Sequence, residues 1–229
     1  MKFGVVVFPG SNCDMDMVYV LESILEKKVV KLWHKNTDLQ ECDFIILPGG
    51  FSFGDYLRSG AIAKFSPIMK EIIGFANAGG FVMGICNGFQ ILCETGLLPG
   101  ALLHNNNHKF ICKNVHLKTF SGNTILTNMI GKKVIKIPIA NGEGRYFADN
   151  KAIEDLESND QILFKYCDEK GEVTANSNPN GSIKNIAGIC NKDRNVFGMM
   201  PHPERASDIE LRNINGLKLF ESILSKVIA

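Results

Sequence analysis

The feature that most constrains this chain is a set of short, wholly apolar runs separated by segments of helical period in its first hundred residues. Residues 3–8, 44–47 and 81–85 are such runs, and 29–33 reads as a further strand. Runs this short, without polar alternation, suit strands buried on both faces of a parallel sheet. Between them, Val18, Leu21, Ile24 and Leu25 fall at helical spacing after Ser11-Asn-Cys-Asp14. There Ser11 is placed to cap a helix, and Asp14 to meet its positive end. Ser66-Pro67 opens a second helix, leading into Ile68, Ile72, Ile73 and Ala76. A third runs over 87–95 and ends at Gly96. This alternation predicts an α/β fold: an open, mostly parallel, doubly wound sheet flanked by helices.

The middle of the chain changes character. Residues 110–120, 134–140, 162–167, 183–189 and 196–200 read as strands joined by turns, a smaller antiparallel region. Asn141-Gly142, between Ile135, Ile137 and Ile139 and the run Arg145-Tyr146-Phe147, predicts a tight hairpin. The polar run 105–107 predicts a loop tip, and 213–227 returns to helical spacing. With no repeat and no long linker, the 229 residues are expected to form a single domain over 1–229.

Twenty-five basic against 24 acidic side chains give a net charge of +1. That balance argues against a chain built to grip nucleic acid or an anionic membrane. No apolar run approaches the length of a signal-peptide core or a membrane span. Seven cysteines, at 13, 42, 86, 93, 112, 167 and 190, include no Cys-x-x-Cys pair. The expectation is a reducing cytoplasm, with most of these thiols packed as small apolar residues and no metal site.

One cysteine stands apart. Phe81-Val-Met-Gly-Ile-Cys86-Asn-Gly88-Phe-Gln90 is a buried strand, then Gly-x-Cys-x-Gly, then a helix. This is the nucleophile-elbow pattern with sulfur in place of oxygen. Gly84 and Gly88 would let the backbone bend and a substrate approach, and the helix start would favour thiolate. An ordinary cysteine, with a pKa of about 8.5, is only a few per cent thiolate at pH 7. The Asn87 amide is placed to bind an oxyanion. The pattern is met equally by a buried cysteine in a tight turn whose glycines serve packing alone.

A cysteine nucleophile needs a base and a group to orient it. His104 and His108 flank the asparagine run and are read as solvated. His116 lies on a polar strand face, and His34 suits the surface end of a strand. His202 differs, because Pro201-His202-Pro203-Glu204 directly follows a strand. Pro203 forces His202 into an extended conformation, which sets Glu204 on the same side. With the elbow present, Cys86, His202 and Glu204 form the better account than a stiffened surface turn. Pro48-Gly-Gly50-Phe51 follows the third strand, and its adjacent glycines suit a second oxyanion donor at Gly50. A phosphate loop is the weaker reading, since neither Gly-Lys-Ser/Thr nor Gly-x-Gly-x-x-Gly is present.

The motifs together carry a resemblance. Gly84-Ile-Cys-Asn-Gly-Phe-Gln90 with Met200-Pro-His-Pro-Glu204 resembles the class I, triad-type glutamine amidotransferases. Phe8-Pro-Gly-Ser-Asn-Cys-Asp14, Pro48-Gly-Gly-Phe-Ser-Phe-Gly-Asp-Tyr-Leu-Arg58, Leu97-Leu-Pro-Gly-Ala101, Phe110-Ile-Cys112 and Asn141-Gly-Glu-Gly-Arg145 narrow it. They are similar to the glutaminase subunits of phosphoribosylformylglycinamidine synthases, from de novo purine synthesis. The resemblance implies glutamine hydrolysis through a thioester on Cys86, with His202 moving the proton and Glu204 orienting it. It implies oxyanion donors at Gly50 and Asn87, and L-glutamine contacts at Gln90 and Phe51. It implies no cofactor on this chain, with ATP and magnesium on a large synthetase subunit, and a small third subunit in the complex. The chain departs from the family at Asn141, where His-Gly-Glu-Gly is usual. Two other readings remain at this point: a cysteine–histidine amidotransferase or hydrolase of another pathway, and a catalytically silent binding subunit.

Overall fold

The apolar run at the N-terminus becomes an interior strand of a parallel sheet in the computed structural model, which describes residues 1–131 and 133–225. Strand β1 (Lys2–Val7) pairs with β2 (Lys28–Trp33) on one side and β3 (Phe44–Leu47) on the other. Strand β4 (Phe81–Ile85) extends the sheet beyond β3, and all these pairings are parallel. All four residues of β3 are buried, as their unbroken apolarity requires. The strand order reverses between β1 and β3. Open α/β sheets form their clefts at such a point, beyond the carboxyl ends of the strands.

Helix α1 (Asp14–Tyr19) continues as a π-helical turn over Val20–Ile24. Its N-cap is Cys13 rather than Ser11. The Ser11 hydroxyl instead bonds both the N–H and the carbonyl of Phe8, at 2.9 Å each, and closes the turn after β1. Helix α2 (Pro67–Asn77) starts at the expected Ser66-Pro67 boundary, and α3 (Asn87–Glu94) follows β4. Residues 195–198 belong to the same compact unit as residues 1–99. Asn195 anchors them, donating to the carbonyls of Ala76 (2.7 Å) and Gly80 (2.8 Å) and accepting from the Val82 N–H (2.8 Å).

The second unit comprises residues 100–194 and the chain from Met199 onward. It holds β5 (Ala101–Leu103), β6 (Ile111–Thr119), β7 (Val134–Asn141), β8 (Arg145–Phe147), α4 (Asn150–Ser158), β9 (Ile162–Cys167), β10 (Ile186–Cys190) and α5 (Leu217–Ser225). Strand β6 pairs antiparallel with β7 and β9, and β9 with β10. Parallel strands between helices in one unit and antiparallel strands in the other agree with the expected fold class. Among the described residues no helix is long and apolar enough to cross a membrane.

Four local expectations are corrected here. Asn141-Gly142 does not turn a hairpin: β8 pairs antiparallel with β5, while β7 pairs with β6. Neither residue adopts the positive φ that a two-residue hairpin turn needs. Asn105 is buried rather than a loop tip, donating to the carbonyls of Lys109 and Asn141 (2.9 Å each) and accepting from Gly144 N–H (3.0 Å). The last helix begins at Leu217, so Ile214 precedes it, and Val227 lies outside the described residues. The expected strand at 183–189 opens with a 3-10 turn, Ile183–Asn185, before β10.

Candidate active site

Cys86 ends β4 and caps α3 with φ 51° and ψ −104°, and its side chain is buried, 5% exposed. Positive φ costs a non-glycine residue roughly 1–2 kcal/mol, so the surroundings must impose it. The two flanking glycines do a separate job. A Cβ on Gly84 would come within 2.5 Å of the Gly88 backbone, and one on Gly88 would run into the Leu47 carbonyl of β3. The glycines therefore serve packing, letting α3 lie directly on β3 and β4. Packing alone does not require the conformation of Cys86. That is the mark of an elbow.

The loops after β1 and β3 are stitched together beside it. The Phe51 and Phe53 amides donate to the carbonyls of Gly10 (2.8 Å) and Pro9 (2.7 Å), and Cys13 N–H donates to Gly49 O (3.4 Å). Gly50 holds φ +124°, and a side chain there would meet the Asn12 amide at 2.5 Å. These contacts give the residues 8–14 a supporting role in the Gly50 segment. On sequence alone that stretch reads as a helix start and a family motif, with no sign of this bracing. The glycine-rich loop is in turn fastened to α3. Asn87 Oδ1 accepts from Ser52 N–H (3.2 Å), and Asn87 Nδ2 donates to Gln90 Oε1 (2.9 Å) and Asp55 Oδ1 (3.3 Å). Three sequence-selected residues, Gly50, Asn87 and Gln90, thus sit in one bonded framework around Cys86. Phe51 is exposed at the edge of the framework. The backbone N–H of Asn87 lies in the first turn of α3, among the donors a helix leaves unused.

The second unit holds the other sequence-selected pair. His202 adopts extended backbone (φ −100°, ψ 90°), as Pro203 dictates. Glu204 then enters a 3-10 turn, Pro203–Ala206, rather than a continued strand, and still brings Oε1 to 2.6 Å from His202 Nδ1. The two side chains are 1% and 3% exposed. A short bond between a carboxylate and Nδ1–H would fix the tautomer and leave Nε2 available for proton exchange. His202 N–H donates to Pro138 O (2.9 Å), which ties the turn to β7.

The remaining candidates fall away. His34 is buried, not at the surface: Ser66 Oγ lies 3.3 Å from its Nδ1, and Phe53 packs edge-on at 5.3 Å. Burial, then neighbouring Lys35, lowers its pKa, so it props the loop as a neutral ring. His104 is exposed and 3.4 Å from Glu143, an ordinary surface pair. Burial raises the Cys42 thiol and lifts Cys167 and Cys190 to about 11, and also pushes Cys93 up. Asn141, at the family's histidine position, is buried, and neither of its amide atoms has a hydrogen-bond partner among the described residues.

Comparison with known proteins gives a consistent result. Residues 1–219 match the model of the CobB/CobQ-like glutamine amidotransferase domain. Phosphoribosylformylglycinamidine synthase subunit PurQ of Koribacter versatilis is 53% identical, over 98% of this chain and 97% of its own length. The same subunit of Synechocystis is 56% identical, over 96% and 99%. A chain in the structure of PurLQS from Thermotoga maritima superposes with a TM-score of 0.87 at 43% identity, covering 99% of this chain and 98% of that one.

Proposed function

The chain belongs to the CobB/CobQ-like glutamine amidotransferase family, and from that premise we propose that it is the glutaminase subunit of a phosphoribosylformylglycinamidine synthase. The observation that carries this reading is Cys86, a cysteine held at positive φ on a strand-to-helix turn. The Cys86 sulfur attacks the γ-carboxamide carbon of L-glutamine, and the developing oxyanion is received by N–H groups of Asn87 and Gly50. His202 gives its proton to the departing nitrogen, so ammonia leaves and a γ-glutamyl thioester remains. Water then attacks, its proton passing to His202, and glutamate is released. Glu204 keeps Nδ1 protonated throughout, and Gln90 and Phe51 border the substrate. Residues 1–229 act as one functional domain, a reading supported by the span of the family match.

Ammonia is consumed by a large synthetase subunit that uses ATP and magnesium to convert formylglycinamide ribonucleotide to its amidine, with a small third subunit in the complex. No cofactor is assigned to this chain, and a cytoplasmic location goes with the reaction. The test is to treat the complex with a glutamine-like electrophile and map the adduct by mass spectrometry. The label is expected on Cys86, and Cys86→Ala should abolish glutamine-dependent synthesis while ammonia-dependent synthesis persists. A complex without the Cys86 adduct refutes the proposal and leaves a silent binding subunit, and a Cys86→Ala complex that still uses glutamine refutes Cys86 as the nucleophile.

A further inference from the structure

The loop that carries Gly50 continues into a segment that the chemistry above does not use. Tyr56 and Leu57 are 74% and 90% exposed, and Phe65 is also exposed. Phe53, Asp55 and Leu57 all hold positive φ, at 53°, 54° and 69°, with Gly54 among them. An aliphatic side chain presented to water on a backbone it disfavours is doubly costly to a lone chain. Strain of this kind persists where the surroundings impose it, and it clusters at functional segments. Exposed contiguous apolar side chains mark contact surfaces.

The charges along the segment are already satisfied. Arg58 makes a bidentate pair with Glu94 (2.6 and 2.7 Å), and Lys64 lies 3.7 Å from the same carboxylate. The tip therefore offers a partner apolar contact with little net field. The base of the loop is bonded to the residue next to the nucleophile, through Ser52 N–H and Asp55 to Asn87.

We propose that Tyr56 and Leu57 are the anchor on which the ammonia-accepting synthetase subunit seats, in an apolar pocket of that partner. The proposal rests on the glutaminase reading, because ammonia must pass from Cys86 to the acceptor without escaping to water. The partner has to cover the surface bordering Cys86, and this tip is the apolar part of the loop bonded beside it. A second exposed apolar stretch, Ile209, Leu211 and Ile214, belongs to the other unit, in the same segment as Arg205 and Arg212. Asp208 and Glu210 balance those two arginines, and the stretch serves as the control.

The experiment measures affinity of the full chain for the synthetase subunit, alongside electrophile labelling of Cys86. Leu57→Asp is expected to weaken association at least about 30-fold, as for a buried hot-spot side chain, with Cys86 labelling retained. Wild-type affinity should change by less than about threefold between low and high salt, since exposed ion pairs are screened but apolar burial is not. Leu57→Gly separates docking from folding: it relieves the positive φ, so thermal stability should hold or rise while affinity falls. Association of Leu57→Asp at wild-type strength overturns the proposal. So does loss of affinity in Ile209→Asp with none in Leu57→Asp. Failure of the glutaminase reading would show instead as an unlabelled Cys86 in the wild-type complex.

Discussion

The proposed nucleophile and its proposed base are held in opposite ways. Cys86 sits at a backbone conformation it disfavours, on a turn whose flanking glycines let α3 lie directly on the sheet. His202 rests in ordinary extended backbone that Pro203 prefers, and its precision comes from one side-chain bond to Glu204. One half is set by main-chain packing, the other by a carboxylate. The difference teaches where each is vulnerable: the first to added volume, the second to lost charge.

The largest break should come from the second half. Glu204→Gln keeps the shape but removes the charge that fixes the imidazole, and glutamine-dependent turnover is expected to fall by about 10²-fold or more. Ammonia-dependent turnover by the same complex should not change. Steady-state assays with the two nitrogen donors would decide it, and equal losses with both would remove Glu204 from the glutaminase step.

Gly88→Ala attacks the first half. Its Cβ would meet the Leu47 carbonyl, and overpacking against backbone should cost about 2–3 kcal/mol in chemical denaturation. A neutral substitution would mean that α3 can move off β3 freely. The strain at Cys86 is tested by comparing Cys86→Gly with Cys86→Ala. Glycine accepts positive φ, so the glycine variant should be the more stable of the two by about 1 kcal/mol. Equal stability would show that the turn stores no strain.

The smallest effect belongs to the loop clasp between Arg58 and Glu94. The hydrogen bond from Arg58 holds the Glu94 carboxyl below the usual carboxylate range. A depressed carboxyl contributes stability above its unfolded pKa, and loses that contribution as pH falls through the lowered folded value. The Arg58 side chain is largely exposed, so Glu94→Gln should cost less than about 1 kcal/mol at neutral pH, and nothing once the wild-type carboxyl is protonated. A penalty that survives in acid would assign the clasp to packing instead.

Much of this organisation was legible because it is local. Unbroken apolar runs gave the parallel strands, Gly84 to Gly88 the elbow, and His202-Pro203-Glu204 a pairing that needs only three residues. What was not legible depends on distant partners. Asn141-Gly142 reads as a hairpin, yet β8 finds β5 some forty positions upstream. Asn105 looks like a loop tip because its three side-chain bonds are made to Lys109, Asn141 and Gly144. His34 reads as a surface residue until Phe53 is folded over it. Ser11 has the right chemistry for a helix cap, but the turn after β1 competes for its hydroxyl and wins.

The suppressed thiols have a practical use. Cys42 lies in the first unit, while Cys167 and Cys190 lie in the second, all buried and all protonated well above neutral pH. A mild alkylating reagent at pH 7 should pass them by and take exposed Cys112. Each modification of Cys42, Cys167 or Cys190 would then record an opening event of the unit that contains it. Counted over time, the chain's own sulfur atoms become a clock for the breathing of each half.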